Sequence, residues 1–379
     1  MLVIKNGLIH DLENKKPYKA DILVDKGKIK SIGSDFSKDI ESFNAKNCNI
    51  YPGLVDAHSH LGVSGTGIGF EGSDYNEIND INSPQMRAID SINPFDPYLK
   101  IAAKAGVTTV ATGSGSANAL GGTWLAMKTV GICVDDMIVK DPIAMKCAFG
   151  ENPKNVYRNK GNYARMSTAA HLREMLFKAN DYLARKKKAK GDIRKEPDFD
   201  YKLESLIPVL EKKIPLKAHA HQANDILTAI RIAKEFDLKM TLEHVTEGHL
   251  IAEEISKYNY PLAVGPTFAS ASKFELRNKS WITAGMLSKM GCQVSLISDH
   301  PFSLQEYLPI YATLAIKDGM DEYEALKAIT INPAKHIGCD KRVGSLKKGK
   351  DADIIVYEGD IFDISSNIKA VFINGEIVK

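Results

Sequence analysis

Tyr51-Pro52-Gly53-Leu54-Val55-Asp56-Ala57-His58-Ser59-His60-Leu61 runs from a Pro-Gly turn into a short apolar strand and ends on two histidines separated by one residue. Side chains at i and i+2 of a strand point to the same face, so His58 and His60 should project together. Two imidazoles side by side at a strand end begin a metal site if other elements supply further ligands. Taken alone, they are equally two ordinary polar residues where a strand meets solvent. The rest of the chain has to decide.

The composition is that of a globular protein: 379 residues, 44% hydrophobic and 26% charged. That length suits one large domain with a smaller one, or two of medium size. A net charge of +3 is too small to argue for a nucleic-acid partner. Met1–Gly7 is too short an apolar stretch for a signal peptide, and no run approaches the roughly 18 apolar residues of a membrane helix. The five cysteines are odd in number and scattered, with no CxxC pair, which points to free thiols in a reducing cytoplasm.

Both chain ends carry short strands and tight turns. Leu2–Ile4, Asp21–Val24 and Lys28–Ile32 are strand-like near the start; Ala352–Tyr357 and Ala370–Val378 are strand-like near the end, the latter with an Asn374-Gly375 hairpin turn. Three small strands bury too little to stand alone, so the two ends are expected to combine into one β-sandwich, residues 1–51 with 341–379. Between them, residues 52–340 alternate apolar strands with helical patterns. Seven strand candidates, at Leu54–Ala57, Val107–Ala111, Ala144–Ala148, Leu216–His219, Met240–His244, Leu262–Val264 and Val294–Ile297, and an eighth strand or hairpin within Thr123–Val130 predict an α/β, TIM-like (β/α)8 barrel. The loops Gly62–Pro97 and Gly113–Gly122 follow the first two strands, where a barrel builds its substrate pocket. The Gly-rich loop lacks the form of a phosphate-binding loop, and the basic run Arg185–Lys195 reads as a solvated helix end.

Several of the ten histidines fall at predicted strand ends. His219, with His221 two residues on, closes one strand; His244 closes the next; Asp299 closes the last, and Glu151 follows Ala144–Ala148. A barrel gathers its strand ends on one rim, so four or five imidazoles and two carboxylates would converge there. That donor set suits two divalent ions bridged by a carboxylate, with histidine favouring Zn2+ and similar borderline metals.

With these residues in place, the sequence resembles the amidohydrolase superfamily. The likeness rests on Pro52–His60, Ala105-Gly106-Val107-Thr108-Thr109, the His219 and His244 strand ends, Ser298-Asp299, Asn332-Pro333-Ala334, Val343–Leu346 and Lys348–Asp353. Phe149–Lys154 and His219-Ala220-His221 most resemble the imidazolonepropionase-related branch. The resemblance implies a metal-dependent barrel with a composite β-sandwich. It implies that His58, His60 and Asp299 bind the more buried ion, and that His219 and His244 bind the second. Many members bridge the ions with a carbamylated lysine from the fourth strand. Here Glu151 is the strand-end group expected to bridge instead, and Lys146, five positions earlier, is expected to lie too deep.

The cofactor so implied is a pair of divalent ions, Zn2+ first, with Mn2+, Fe2+ or Ni2+ as other candidates. The resemblance makes the protein a hydrolase of C–N bonds outside peptide chains, in a cyclic amide or small N-acyl compound, with Asp299 as general base and then general acid. A one-metal deaminase of an aminated heterocycle, a prolidase-like dipeptidase and a non-catalytic barrel are the rival readings. His221, His249 and His300 are candidate substrate contacts, with local structural hydrogen bonds as their other use. Lys154, Arg158 and Arg87 are candidate holders of a substrate carboxylate, or else solvated surface cations. The expected partner is a small molecule, with neither nucleic acid nor membrane, and homo-oligomerisation is an expectation from the family.

Overall fold

A computed structural model describes residues 1–65 and 69–379; residues 66–68, part of the long loop after the first barrel strand, lie outside the described residues. The chain starts with β1 (Leu2–Ile9), β2 (Tyr18–Asp25), β3 (Lys28–Gly33), β4 (Glu41–Asn44) and β5 (Asn49–Pro52). It then enters the barrel: β6 (Leu54–Ser59), β7 (Val107–Thr112), β8 (Leu120–Lys128), β9 (Ile138–Ala148), β10 (Leu216–Ala220), β11 (Met240–His244), β12 (Leu262–Val264) and β13 (Val294–Leu296). It returns through β14 (Ile354–Glu358), β15 (Asn367–Ile373) and β16 (Glu376–Ile377).

The terminal strands form one sheet in the order β16-β15-β14-β5-β1-β2-β3, with β4 paired to β1. β14 pairs antiparallel with β5, so the end of the chain is stitched directly to its beginning. The sheet has its own apolar core, in which Ile4, Ile22, Ile50, Val356 and Phe372 are buried. Asn374 and Gly375 both take positive φ, 50° and 78°, as the Asn-Gly hairpin requires.

Only Gly53 separates β5 from β6. A Cβ there would lie 2.2 Å from Thr108 Oγ1, so glycine is what lets the chain pass from one sheet to the other against β7. β6 to β13 follow one another around the barrel in sequence order. Asp299 N donates to His58 O at 3.0 Å and His60 N to His300 O at 2.9 Å, joining the end of β13 to β6. Those bonds put Asp299 beside the two histidines of β6.

The barrel departs from a regular repeat at its third strand. β8 runs antiparallel to both β7 and β9, so two hairpins replace βα units there. β9 is also longer than the Ala144–Ala148 core suggested, starting at Ile138. The remaining neighbours from β9 to β13 are parallel, with helices such as Ala223–Glu235 in their connections. Among the described residues, no helix is long and apolar enough to cross a membrane.

Candidate metal centre

Every residue of β6 is buried, so its two histidines are held in a dry interior. His58 Nδ1 lies 2.7 Å from Glu243 Oε2, and His60 Nδ1 lies 2.7 Å from the Gly113 carbonyl. With Nδ1 donating to an oxygen, each ring keeps its lone pair on Nε2. Both Nε2 atoms face Asp299 Oδ1, at 3.7 Å from His58 and 3.3 Å from His60. His244 is fixed in the same way, its Nδ1 2.8 Å from the Gly265 carbonyl. His58, His244 and Asp299 present ligand atoms within 4.8 Å of one another, and so do His219, His221 and His244.

Several of these atoms have nothing to bond to among the described residues. Both ring nitrogens of His219, Nε2 of His244 and Oδ1 of Asp299 are buried without a hydrogen-bond partner among the described residues. A buried polar atom left unpaired costs about 1–3 kcal/mol. A cation among them would partner His244 Nε2, Asp299 Oδ1 and one nitrogen of His219, so the donor set fits a divalent metal. Burial holds His58, His219 and His221 well below the usual imidazole range and His244 down to about 4, leaving the neutral rings that ligate metals. The backbone is also strained here: His244 and Asp299 sit in the left-handed region, with φ of 71° and 53°. Such conformations cost of order 1–3 kcal/mol and cluster at functional sites.

The floor of the site is a buried polar network that the sequence reading missed. Lys146 on β9 and Lys217 on β10 stand at the same register, inside the barrel. Lys217 Nζ donates to Glu243 Oε2 at 2.7 Å and to the Ala57 carbonyl at 2.8 Å. Glu243 also takes His58 on one oxygen, and His336 Nε2 (2.8 Å) with the Thr241 hydroxyl (2.6 Å) on the other. Trp124 of β8 lies under both ammonium groups, 4.6 Å from Lys146 and 4.9 Å from Lys217. One carboxylate thus orients a candidate ligand and partners a buried cation.

Glu151 and Lys146 reverse their expected places. Glu151 opens a helix beyond Gly150 and turns its carboxylate to the Glu275 backbone N–H (3.2 Å) and the Asn155 amide (3.4 Å). It does not join the histidine cluster. Lys146 is not too deep: its long side chain runs up the barrel until Nζ is 3.2 Å from His58 Nε2. Burial and the neighbouring Lys217 push its pKa down to about 7. The fourth barrel strand does send a lysine into the site.

A cavity of about 480 Å³ opens here, lined by His60, His219, His221, His244 and Asp299 together with Tyr75, Asn152, Lys273 and Phe302. That volume suits a small molecule. Of the expected substrate contacts, His221 lines it. Arg87 instead pairs with Asp141 at 3.0 Å, and His249 Nδ1 meets the Thr283 hydroxyl at 2.9 Å. His300 is buried with its ring 4.9 Å from that of Tyr98. Lys154 lies in the helix Glu151–Tyr157 and Arg158 in the short helix Arg158–Lys160 after it, and neither lines the cavity. The lysine that does is Lys273, in the loop after β12, which no strand or helix pattern marks.

Residues 49–378 match the amidohydrolase family. Over its whole length the chain is 39% identical to an amidohydrolase from Thermotoga maritima MSB8 of known crystal structure, with a TM-score of 0.96 and all of that chain covered. It is 27% identical to amidohydrolase tasK of Hapsidospora irregularis over 99% of its own length, yet spans only 39% of that protein. An imidazolonepropionase of Symbiobacterium thermophilum is 35% identical over 37% of this chain and 33% of its own. A prolidase crystallised with N-methylphosphonate-L-proline shares the fold at 14% identity, covering 100% of this chain and 99% of that one with a TM-score of 0.61.

Proposed function

The chain belongs to the amidohydrolase family, and on that premise we propose that it is a metal-dependent hydrolase of a C–N bond outside peptide chains, in a cyclic amide or small N-acyl compound. One observation carries this: ring nitrogens and a carboxylate oxygen from β10, β11 and the end of β13, buried and without partners among the described residues, converge on one cavity. His58, His60 and Asp299 would hold one ion, and His219 and His244 a second. Lys146 replaces Glu151 as the fourth-strand group. Its Nζ position beside His58 supports a carbamate there, formed when the amine adds CO2 and releases a proton. Zn2+ suits the imidazole-rich set best.

The ions would supply the Lewis acidity that makes water nucleophilic near neutral pH and polarises a carbonyl. The protein's own groups do the rest. Burial raises the pKa of Asp299, but His244 and His60 outweigh that and hold it below the usual range, so it stands as a carboxylate facing the cavity. It takes the proton that water loses on adding to the carbonyl carbon. It then delivers that proton to the leaving nitrogen as the C–N bond breaks. Tyr75, stacked on His60 with ring centres 5.2 Å apart, covers one flank and restricts water there.

Elemental analysis of protein prepared without chelators and reconstituted with Zn2+ or Mn2+ tests the reading, together with a panel of cyclic amides, acyl-amino acids and aminated heterocycles. Two ions per chain with turnover of amides is the expected result. One ion with ammonia release would move the activity to a deaminase, and turnover confined to dipeptides would make it a prolidase-like enzyme. Failure to take up any ion would overturn it.

A further inference from the structure

Two buried groups beside the second ion position have no assigned role: His221 and Glu275. His221 follows the end of β10 and is only 3% exposed. Its Nδ1 is 2.7 Å from the Thr246 hydroxyl, which leaves Nε2 for another partner. Its ligand atom lies within 4.8 Å of those of His219 and His244. Glu275, in the loop after β12, is completely buried. Its Oε2 accepts a hydrogen bond from Glu151 N at 2.9 Å. Gly150, at φ 85°, permits that approach, since a Cβ there would sit 2.6 Å from Oε2. The other oxygen, Oε1, has no hydrogen-bond partner of good geometry among the described residues, although Lys273 Nζ is 2.6 Å away. Oε1 stands 3.6 Å from His221 Nε2 and 3.8 Å from His219 Nε2.

Catalytic zinc sites usually take three protein ligands and keep one position open. A Lys146 carbamate would be shared with the first ion, so His219 and His244 are the second ion's only ligands of its own, and the His221 ligand atom lies within 4.8 Å of theirs. A dication among neutral rings in a dry interior also calls for a nearby anion. We propose that His221, its ring held by Thr246 at Nδ1, is a third imidazole donor to the second ion through Nε2, and that Glu275 is the buried carboxylate whose charge offsets that of the ion. The proposal rests on the metal-hydrolase reading, which the test below separates from it. The ligand class is a borderline divalent cation such as Zn2+ or Co2+.

The full chain, stripped with chelator and reloaded with Zn2+ or Co2+, is assayed for ions per chain, for affinity against a competing chelator and for its Co2+ visible spectrum. The wild-type protein is expected to hold two ions. His221→Asn should lose the second and keep the first, with the Co2+ bands of the second position gone. Glu275→Gln should weaken the second ion about 10–100-fold and leave the first unchanged. Thr246→Val, which removes the hydroxyl beside His221 Nδ1, should weaken it in the same direction and serves if His221→Asn does not fold, as circular dichroism would show. His249→Asn, outside the cavity, is the control and should keep both ions. Variants at His221, Glu275 and Thr246 that retain wild-type stoichiometry, affinity and Co2+ spectrum overturn the proposal and leave the hydrolase reading standing. A wild-type protein that binds no ion overturns the hydrolase reading itself.

Discussion

Lys146 and Glu151 show what one residue's placement decides. A strand-end rule favours Glu151, yet a lysine's four-carbon stem lets a deeper residue reach the rim, and Glu151 lies past a glycine that turns the chain away. Lys146→Met should therefore cost at least one ion per chain and on the order of 100-fold in activity, while Glu151→Gln should keep both ions; elemental analysis and rate measurements on the two variants decide it. The signal for Lys146 was present in the sequence. Met145-Lys146-Cys147-Ala148 and Leu216-Lys217-Ala218-His219 each carry a lysine inside an apolar barrel strand, and a buried lysine needs a partner. The partner of Lys217 was not visible, because Glu243 lies on a third strand, and Lys146 meets His58 only once the barrel closes. Glu243 is where ligand and scaffold meet. Replacing it with Gln should loosen His58, lowering metal affinity about 10–100-fold. The same change leaves the Lys217 ammonium poorly paired in the core, at a cost of roughly 3–5 kcal/mol. Denaturant unfolding and chelator competition would register the two effects separately.

Among the elements, β10, β11 and β12 were readable because short buried runs end at histidines or turns, and the structure bounds them at or within a residue of those runs. A strand or hairpin was expected within Thr123–Val130, where β8 lies, but its antiparallel pairing on both sides was not legible, because an apolar run has no feature that states its direction. Helices Tyr201–Leu210 and Leu308–Lys317 carry weak helical patterns: one contains Pro208, and the other is apolar around much of its circumference. The antiparallel β8 has a consequence for the site. It brings Trp124 beneath the histidines, with its ring centre 4.6 Å from that of His58 and 5.5 Å from that of His60. Gly113, at the end of β7, makes room for that indole, since a Cβ there would meet Trp124 Cδ1 at 2.4 Å. Gly113→Ala should push the ring against the histidines, destabilising the fold by about 1–3 kcal/mol and weakening ion binding. Gly33→Ala, where a Cβ meets nothing within 4 Å, should leave both unchanged. Thermal melts with and without Zn2+ compare them.

At the scale of the molecule, the sheet built from both chain ends is tied to the barrel by a buried charge cluster. Lys128 of β8 pairs with Asp351 at 3.0 Å and with Asp353. Asp351 also takes Lys28 of β3 and, at 3.0 Å, Arg342. Asp353 accepts from the Thr108 hydroxyl of β7 at 3.2 Å and from Asn374 N in the hairpin at 3.0 Å. The Lys348–Asp353 run is therefore a joint between the two sheets. Burial raises the pKa of Asp351, but Lys128, Lys28 and Arg342 outweigh that and hold it below the ordinary aspartate value. A carboxylate whose folded pKa is depressed adds stability that is fully present above its unfolded pKa, near 4, and disappears as pH falls through the folded pKa. Asp351→Asn should accordingly cost roughly 1.5–3 kcal/mol at pH 7, the worth of hydrogen bonds to a charged group. Below about pH 4 the gap from wild type should narrow as the native carboxylate protonates too. Urea unfolding of both proteins from pH 7 down to 3 would measure that convergence. A constant gap across the range would mean that Asp351 holds the joint by shape alone, with its charge contributing nothing to how the terminal sheet grips the barrel.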